Sequence, residues 1–290
     1  MPLVSIISVN YNQPEATADM LKSVFEVNKY PEFEVIVVDN ASSEFDIETW
    51  QKKFPSARFI ASKKNLGFAG GNNLGLKEAR GEYLFLINND TEVTAGLIEQ
   101  LVSTMETHPQ IGMISPRILS YNKPEEIQYN GYSPMNYYTG RNYVGYSSPK
   151  ETFVGQTGYA HGAAMMLRRE ALSKAGLMDE SYFLYYEELD WCERIKHAGY
   201  EIWINRNATI YHKESLAVGR SSPLKEYYMT RNRILFQRRH APFLARSFFL
   251  VYFLLIVAPR NLVSYLVKGR TELVFPFLKG ISWNFVHKKY

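Results

Sequence analysis

The chain has 290 residues with 46% hydrophobic content, enough to bury a substantial core, which excludes a disordered segment. Its single cysteine, Cys192, excludes an internal disulfide and a CxxC metal site, as expected in a reducing compartment. Residues 225–290 contain twelve Lys or Arg and two acidic residues, a balance of +10 that leaves −6 for residues 1–224 and argues against nucleic-acid binding.

The first 90 residues alternate short apolar runs with segments of helical character. The runs predict strands at 3–9, 34–38, 58–61 and 83–87, and the spacers predict helices near 14–27, 44–54 and 72–80. This alternation is typical of an α/β fold with a mainly parallel sheet and flanking helices. Ligands of such sheets bind beyond the carboxyl ends of the strands.

Polar residues follow three of these predicted strands at that edge. They are Asn10 and Asn12, then Asp39 and Asn40, then Asn88, Asn89 and Asp90. One such group is usually a turn, but three on one edge predict a pocket. A divalent cation bridging two phosphate oxygens needs one or two carboxylates from the protein, and Asp90 and Glu92 are available.

The Gly-rich segment 65–77 lacks the Lys of a phosphate-binding P-loop and has no G-x-G-x-x-G pattern. It predicts a loop that leads into a helix, whose free N–H groups could face a phosphate or a sugar hydroxyl. Further along, we predict a helix at 94–107, long loops or a small antiparallel excursion at 120–150, a strand at 163–167 and a helix at 169–175.

A strong helix is predicted at 187–198, before the strand-like segment that ends at His212. Asp190 and Arg194 are four residues apart and predict an ordinary ion pair on one face of this helix. Glu188 lies on the face of Trp191 instead. A carboxylate on this more apolar side indicates either a misplaced helix boundary or a poised base.

From residue 225 the sequence becomes basic and aromatic. An uncharged run of thirteen residues, 247–259, lies between Arg246 and Arg260 and is short for a membrane span. A buried core helix is one interpretation. The flanking arginines, the aromatic residues and the charge of +10 favour a helix in an anionic membrane interface. The first residues have no basic n-region or cleavage site, so we expect a cytoplasmic location.

Several segments together resemble family 2 glycosyltransferases with the GT-A fold, and among them the bacterial rhamnosyltransferase-like members. They are VNYN, VVDNASS, NLGFAGGNN, LINND, YYEELDWCER, and ATIYH followed by YYMTRN at 227–232. The resemblance covers residues 3–240. It implies a GT-A catalytic domain at 1–224, which the basic, aromatic, helical region at 225–290 would attach to the membrane.

The resemblance also implies roles for individual residues. Asp39 would recognise a pyrimidine base, and Asp90 and His212 would hold Mn²⁺ or Mg²⁺. The other residues around the nucleotide sugar would be Asn10, Asn12, Asn40, Asn65, Gly67, Phe68, Gly70, Gly71, Asn72, Asn88 and Asn89. The chain departs from the family where relatives carry Asp-x-Asp, because Asn88 replaces the first aspartate.

A second departure concerns the base. Where relatives commonly read Glu-Asp-x-Asp, this chain has Glu187-Glu188-Leu189-Asp190. Glu188 is therefore the first candidate for the catalytic base and Asp190 the second. Glu187 and His161 fall in the region expected to face the acceptor.

The reaction implied is an inverting transfer from a pyrimidine nucleoside-diphosphate sugar, either dTDP-rhamnose or a UDP-hexose. The acceptor would be a saccharide or a polyprenyl-linked saccharide in surface polysaccharide synthesis, at the inner face of the plasma membrane. Two other classes stay open. One is a sugar-1-phosphate nucleotidyltransferase, although the basic Gly-rich N-terminal loop for a triphosphate is absent. The other is a non-catalytic sugar-nucleotide-binding protein, given Asn88 and Glu188.

Overall fold

The computed structural model describes residues 1–145, 151–213 and 222–287. Within these ranges the strands are β1 (Val4–Asn10), β2 (Phe33–Asp39), β3 (Ala57–Ala61), β4 (Tyr83–Ile87), β5 (Thr91–Val93), β6 (Ile111–Ser120), β7 (Ile127–Tyr129), β8 (Val154–Gln156), β9 (Ala164–Arg168) and β10 (Glu201–His212). The helices are α1 (Pro14–Val27), α2 (Ile47–Lys53), α3 (Gly67–Glu78), α4 (Leu97–Thr107), α5 (Arg169–Ala175), α6 (Glu187–His197), α7 (Pro223–His240), α8 (Phe243–Tyr252), α9 (Ala258–Val267) and α10 (Val274–Val286).

These strands form one sheet in the order β3-β2-β1-β4-β9-β6-β10-β5, with β7 paired to β6 and β8 to β10. The pairs β2–β3, β1–β2, β1–β4 and β6–β10 are parallel, whereas β9 runs antiparallel between β4 and β6. The predicted α/β fold is therefore confirmed as a mixed, mostly parallel sheet. The register places Asn10 opposite Asp39 at the carboxyl ends of β1 and β2.

The sheet has an apolar core on each face because its strands are buried on both sides. Ile6 packs into the core that contains residues of α1, α2 and α4, whereas Ile7 packs into the core of α3, α6 and α7. Successive side chains of a strand point to opposite faces, which produces this division. Gly75 lets α3 lie close to β1, since a Cβ there would be 2.5 Å from Cγ2 of Ile7.

Most predicted elements are present, with two differences. Helix α3 begins at Gly67, five residues before the predicted start, so the Gly-rich segment is helical rather than a loop. Strands β5, β6 and β8 are not among the predicted elements, although nearly all residues of β6 are buried. In the predicted excursion at 120–150, β7 pairs with β6 and Tyr132 bridges Val144, both antiparallel. Residues 146–150 of that segment lie outside the described residues.

The C-terminal region contains a continuous helix from Phe243 to Val267, in which a π-helical turn joins α8 to α9. Pro259 follows this turn and cannot donate a backbone hydrogen bond, which accounts for the irregularity. The helix runs past Arg260 and is longer than the uncharged run. Of the described helices it alone is long and apolar enough to cross a membrane, by length and composition only.

A buried core helix is wrong for this segment. Leu244, Leu255 and Val267 are 75%, 71% and 81% exposed. The opposite face, with Phe249 and Phe253, packs into a small third core that also contains residues of α7 and α10.

Candidate functional site

The carboxyl ends of β1 and β2 form a connected polar cluster. Asn10 Nδ2 donates hydrogen bonds to Asp39 Oδ1 at 2.8 Å and to Ser42 Oγ at 3.1 Å. The Ser42 N–H donates to Asp39 Oδ2 at 3.0 Å. Asn10 is completely buried and orients Asp39, and its contact with a nucleotide sugar stays a prediction.

This cluster extends to the end of β4 through Thr17 on α1. The Thr17 hydroxyl donates to Asn10 Oδ1 at 2.9 Å and accepts a hydrogen bond from Asn89 Nδ2 at 3.0 Å. At the solvent side, Asn12 Oδ1 accepts a hydrogen bond from the Ser43 N–H at 2.9 Å and so joins the loops after β1 and β2. The polar groups predicted to converge on one edge therefore do so.

Asn40 connects this cluster to the start of α3. Its Nδ2 donates to Asn65 Oδ1 at 3.1 Å and to Gly67 O at 3.0 Å, and its Oδ1 accepts from the Leu66 N–H at 2.9 Å. Gly67 has a φ of +71°, and a Cβ there would lie 2.2 Å from the carbonyl oxygen of Phe183. The glycine is required by this close approach of the segment that precedes α6.

The next predicted ligand residues on α3 are explained by packing. A Cβ at Gly71 would lie 2.8 Å from Val9 Cγ1, and a Cβ at Gly70 would lie 2.6 Å from Leu66 Cβ. Asn72 Nδ2 donates to Phe68 O of its own helix at 3.0 Å. Contact of Gly70, Gly71 and Asn72 with a nucleotide sugar stays a prediction.

Asp90 and His212 lie beside each other at the same edge of the sheet. His212 Nε2 lies 3.2 Å from Asp90 Oδ1 and 3.5 Å from Asn88 Nδ2. His212 Nδ1 lies 2.7 Å from Gln128 Oε1, an acceptor, so Nδ1 carries a proton and donates. Gln128 on β7 thereby orients the imidazole, a contact that no pattern in the sequence predicts.

Glu92 does not join Asp90 and His212 as a second carboxylate for a metal ion. Its Oε1 pairs with Lys213 Nζ at 3.0 Å, and the same ammonium pairs with Asp19 Oδ2 at 2.9 Å. Among the described residues no group of three or more His, Cys, Asp and Glu side chains is placed to hold a metal ion. Asp90 and His212 fit one only if a substrate and water supply the other ligands.

A strained loop precedes α6. Phe183, Tyr185 and Tyr186 have φ values of 63°, 69° and 75°, which residues with side chains rarely adopt. Glu187 and Glu188 follow at the first turn of the helix. Glu187 is buried, and its Oε2 has no hydrogen-bond partner. Burial and the neighbouring charge of Glu188 raise the pKa of Glu187, and burial raises the pKa of Glu188.

Asp190 is held by Arg194 and His240, and the contact with Arg194 confirms the predicted ion pair. Arg194 Nε lies 2.8 Å from Asp190 Oδ2, and His240 Nε2 lies 2.8 Å from Oδ1. Burial raises the pKa of Asp190, but the hydrogen bond from His240 and the charge of Arg194 outweigh it, so its pKa lies below the ordinary value. Of the two candidate bases, Asp190 is thus a fixed, partnered anion and Glu188 is not.

Glycine 162 lies between the donor and base sides of the predicted site. A Cβ there would be 3.6 Å from Cζ of Phe68 and 3.9 Å from Cγ of Glu188. The neighbouring ring of His161 lies 6.4 Å from that of His212 and 6.1 Å from that of Tyr132. Burial and His212 lower the pKa of His161 to about 3, so its imidazole is neutral. The predicted donor, metal, acceptor and base residues therefore border one region.

This fold and this edge of polar residues define a glycosyltransferase with the GT-A fold. The chain belongs to glycosyl transferase family 2, whose family model matches residues 5–176. It is 29% identical over 240 residues to the low-salt glycan biosynthesis hexosyltransferase of Haloferax volcanii, covering 80% of this chain and 74% of that protein. It is 22% identical over 241 residues to the N-acetylglucosaminyl-diphospho-decaprenol L-rhamnosyltransferase of Mycobacterium tuberculosis, covering 75% and 78%.

Solved structures share the fold. A mannosyltransferase from Pyrobaculum calidifontis in complex with GDP-Man and Mn²⁺ is similar with a TM-score of 0.60 and 15% identity, covering all of this chain and 88% of that one. Other similar proteins are longer, since the chain spans 27% of one curated relative and 39% of one solved chain.

We expect Asp190→Asn to lower the free energy of unfolding by about 3 kcal/mol at pH 7, because it leaves Arg194 and His240 without their anion. The pKa of Asp190 is lowered on folding, so this contribution is complete above the unfolded-chain value of about 3.9 and is lost as the pH falls through the folded value. Urea unfolding at several pH values measures it.

The control is Asp19→Asn, which removes a largely exposed partner of Lys213 and should cost at most about 1 kcal/mol. A difference between wild type and Asp190→Asn that does not shrink below pH 4 would contradict the ionic explanation, because a lost packing contact has no such pH dependence.

Proposed function

We propose that this glycosyltransferase transfers rhamnose or a hexose from a pyrimidine nucleoside diphosphate, with inversion, to a saccharide or lipid-linked saccharide in surface polysaccharide synthesis. The observation that carries the proposal is the single region bordered by the Asp90–His212 pair, the Phe68 ring and Glu188. Asp39, fixed by Asn10 and Ser42, lies at the other end of the same sheet edge, where a base would be recognised.

Glu188 is the base in this mechanism. Its carboxylate takes the proton of an acceptor hydroxyl while that oxygen bonds to the anomeric carbon. The bond from that carbon to the diphosphate breaks, and the nucleoside diphosphate leaves with the electron pair. Burial makes Glu188 a stronger base than an exposed glutamate, and a positioned base contributes about 10²–10⁴-fold.

Asp90 and His212 would hold the divalent cation, which neutralises negative charge on the departing diphosphate. A carboxylate and an imidazole with one protonated, anchored nitrogen suit Mn²⁺, and the Pyrobaculum calidifontis structure contains that ion. Asn88 contributes an amide beside them where the family carries a carboxylate. We therefore expect weaker metal binding than in relatives with two aspartates.

The C-terminal helices support an acceptor at a membrane. Their exposed apolar side chains include Phe243, Leu244 and Phe248 on α8, and Phe275 and Val286 on α10. The charge of +10 in residues 225–290 favours an anionic surface. We propose that this region makes a peripheral contact with the inner face of the plasma membrane and places the enzyme in the cytoplasm.

Thermal-shift measurements with UDP, dTDP and GDP, each with and without Mn²⁺, test the donor site. We expect one pyrimidine diphosphate to raise the melting temperature of the wild type only with metal, because the cation that Asp90 and His212 would hold would attract the diphosphate. Asp90→Ala should lose this response, whereas Glu92→Ala should keep it. A response of Asp90→Ala equal to that of the wild type would contradict the metal assignment.

Glu188→Gln tests the base. Removing the proton acceptor should lower kcat by about 10²–10⁴-fold while leaving the dissociation constant of the nucleotide diphosphate unchanged. Steady-state kinetics and calorimetry measure both. Turnover equal to that of the wild type would exclude Glu188, and a retained anomeric configuration by NMR would exclude the single displacement. Pyrophosphate release would instead identify a nucleotidyltransferase, and donor binding without turnover in the wild type a binding protein.

Liposome flotation tests the membrane contact. We expect the full chain to float with vesicles that contain anionic lipid, and the Leu244→Asp/Leu255→Asp variant to stay in solution, because both side chains are exposed and apolar. Leu224→Asp, on α7, is the matched control and should float. Equal flotation of the double variant would contradict the proposal, and resistance to a carbonate wash would indicate insertion rather than peripheral contact.

A further inference from the structure

Helix α7 makes an unusual set of contacts with the strained loop of residues 181–186, which leads into Glu187 and Glu188. Asn232 on α7 is completely buried. Its Nδ2 lies within hydrogen-bonding distance of the carbonyl oxygens of Tyr182 at 3.0 Å, Leu184 at 2.8 Å and Tyr185 at 2.7 Å, so that one of its two N–H groups is shared between two oxygens. One amide group therefore contacts three of the six residues of the loop.

Arg231 completes this attachment. Its guanidinium donates to the carbonyl oxygens of Ser181 and Tyr182, each at 2.6 Å. Its Nε also donates to Asn232 Oδ1 at 2.7 Å, which fixes the orientation of the amide so that Nδ2 faces the loop. The ring of Tyr228, one turn earlier, stacks on Phe183 at 5.0 Å.

These contacts stabilise a backbone conformation that is unfavourable by itself. Residues with side chains adopt positive φ only where the surroundings over-determine it, and Phe183, Tyr185 and Tyr186 all do so within four residues. Without Asn232 the carbonyl oxygens of Leu184 and Tyr185 would lose this donor, whereas that of Tyr182 would keep Arg231, and partly buried oxygens without a donor are unfavourable.

The loop lies between the two halves of the proposed site. The Phe183 carbonyl oxygen accepts a hydrogen bond from the Phe68 N–H at 2.7 Å, on the donor side. Tyr186 is the N-cap residue of α6, two positions before Glu188. Helix α7 also contacts α6 directly, through His240 and Asp190. The position of Glu188 relative to the donor segment thus depends on α7.

We propose that Asn232, oriented by Arg231, is a positioning residue for glycosyl transfer that holds the loop of residues 181–186 and so sets the place of Glu188. This rests on the proposed function, in which Glu188 is the base. Asn232 touches neither substrate nor metal in this role and acts only through the loop. A displacement of about 1 Å at a reacting group costs on the order of 10²-fold in rate.

The test compares Asn232→Ala with Asn284→Ala in the full chain. Asn284 is a buried asparagine of α10 that donates to Arg231 O at 2.9 Å, so its loss disturbs the same helix without removing a bond to the loop. We measure amide hydrogen exchange over residues 181–188, the dissociation constant of UDP or dTDP, and kcat and KM for transfer.

In Asn232→Ala we expect faster exchange at 181–188 and a fall of about 10²-fold in kcat, with KM for the acceptor little changed. Asn284→Ala should change neither, whatever its effect on the melting temperature. Equal losses of kcat in the two variants, or faster exchange with an unchanged kcat in Asn232→Ala, would overturn the positioning role.

The test also covers a variant that does not fold and a wild type that shows no transfer. If Asn232→Ala does not fold, Arg231→Lys replaces it, since Lys keeps the charge but cannot bond two carbonyl oxygens in the same fork. If the wild type transfers no sugar, the proposed function fails separately. The exchange data then still decide whether Asn232 holds the loop, and unchanged exchange at 181–188 overturns the inference.

Discussion

The parallel pairing of β1 with β2 and β4 is the constraint on which the rest of the molecule depends. It brings the polar residues that end these strands to one edge, where Asn10 lies opposite Asp39. The antiparallel β9 then separates this half of the sheet from β6 and β10. Because β10 ends beside β5, His212 is brought within contact distance of Asp90, 122 positions earlier in the chain.

Carboxylates around the site fall into two groups with different partners. Asp39 is oriented by hydrogen bonds from Asn10 and the Ser42 N–H, and Asp190 is held by Arg194 and His240, which lower its pKa. Glu187 and Glu188 are adjacent, and burial raises the pKa of each. The same helix α6 thus carries a stable structural anion and a pair of more basic carboxyl groups within four residues. This separation of roles follows from their surroundings and not from residue type.

Patterns in the sequence predicted the features that depend on residues close together in the chain. The strands β1 to β4, the Asp190–Arg194 pair and the convergence of polar strand ends followed from periodicity and spacing. Contacts between distant segments did not follow, because nothing local specifies them. Lys213 takes Glu92 out of the proposed metal group, and Gln128 orients His212. The YYMTRN segment is part of the family resemblance, but its contacts with the loop before α6 could not be predicted from the sequence.

Gly162 has a consequence for the space at this site. A single methyl group there would already touch the Phe68 ring and the Glu188 side chain in ordinary van der Waals contact. A methyl group at this position would therefore occupy space that borders both the Phe68 ring and Glu188, on the donor and base sides of the proposed site. The size of the residue at position 162 would thus change the room beside Phe68 and Glu188 without changing either of those side chains.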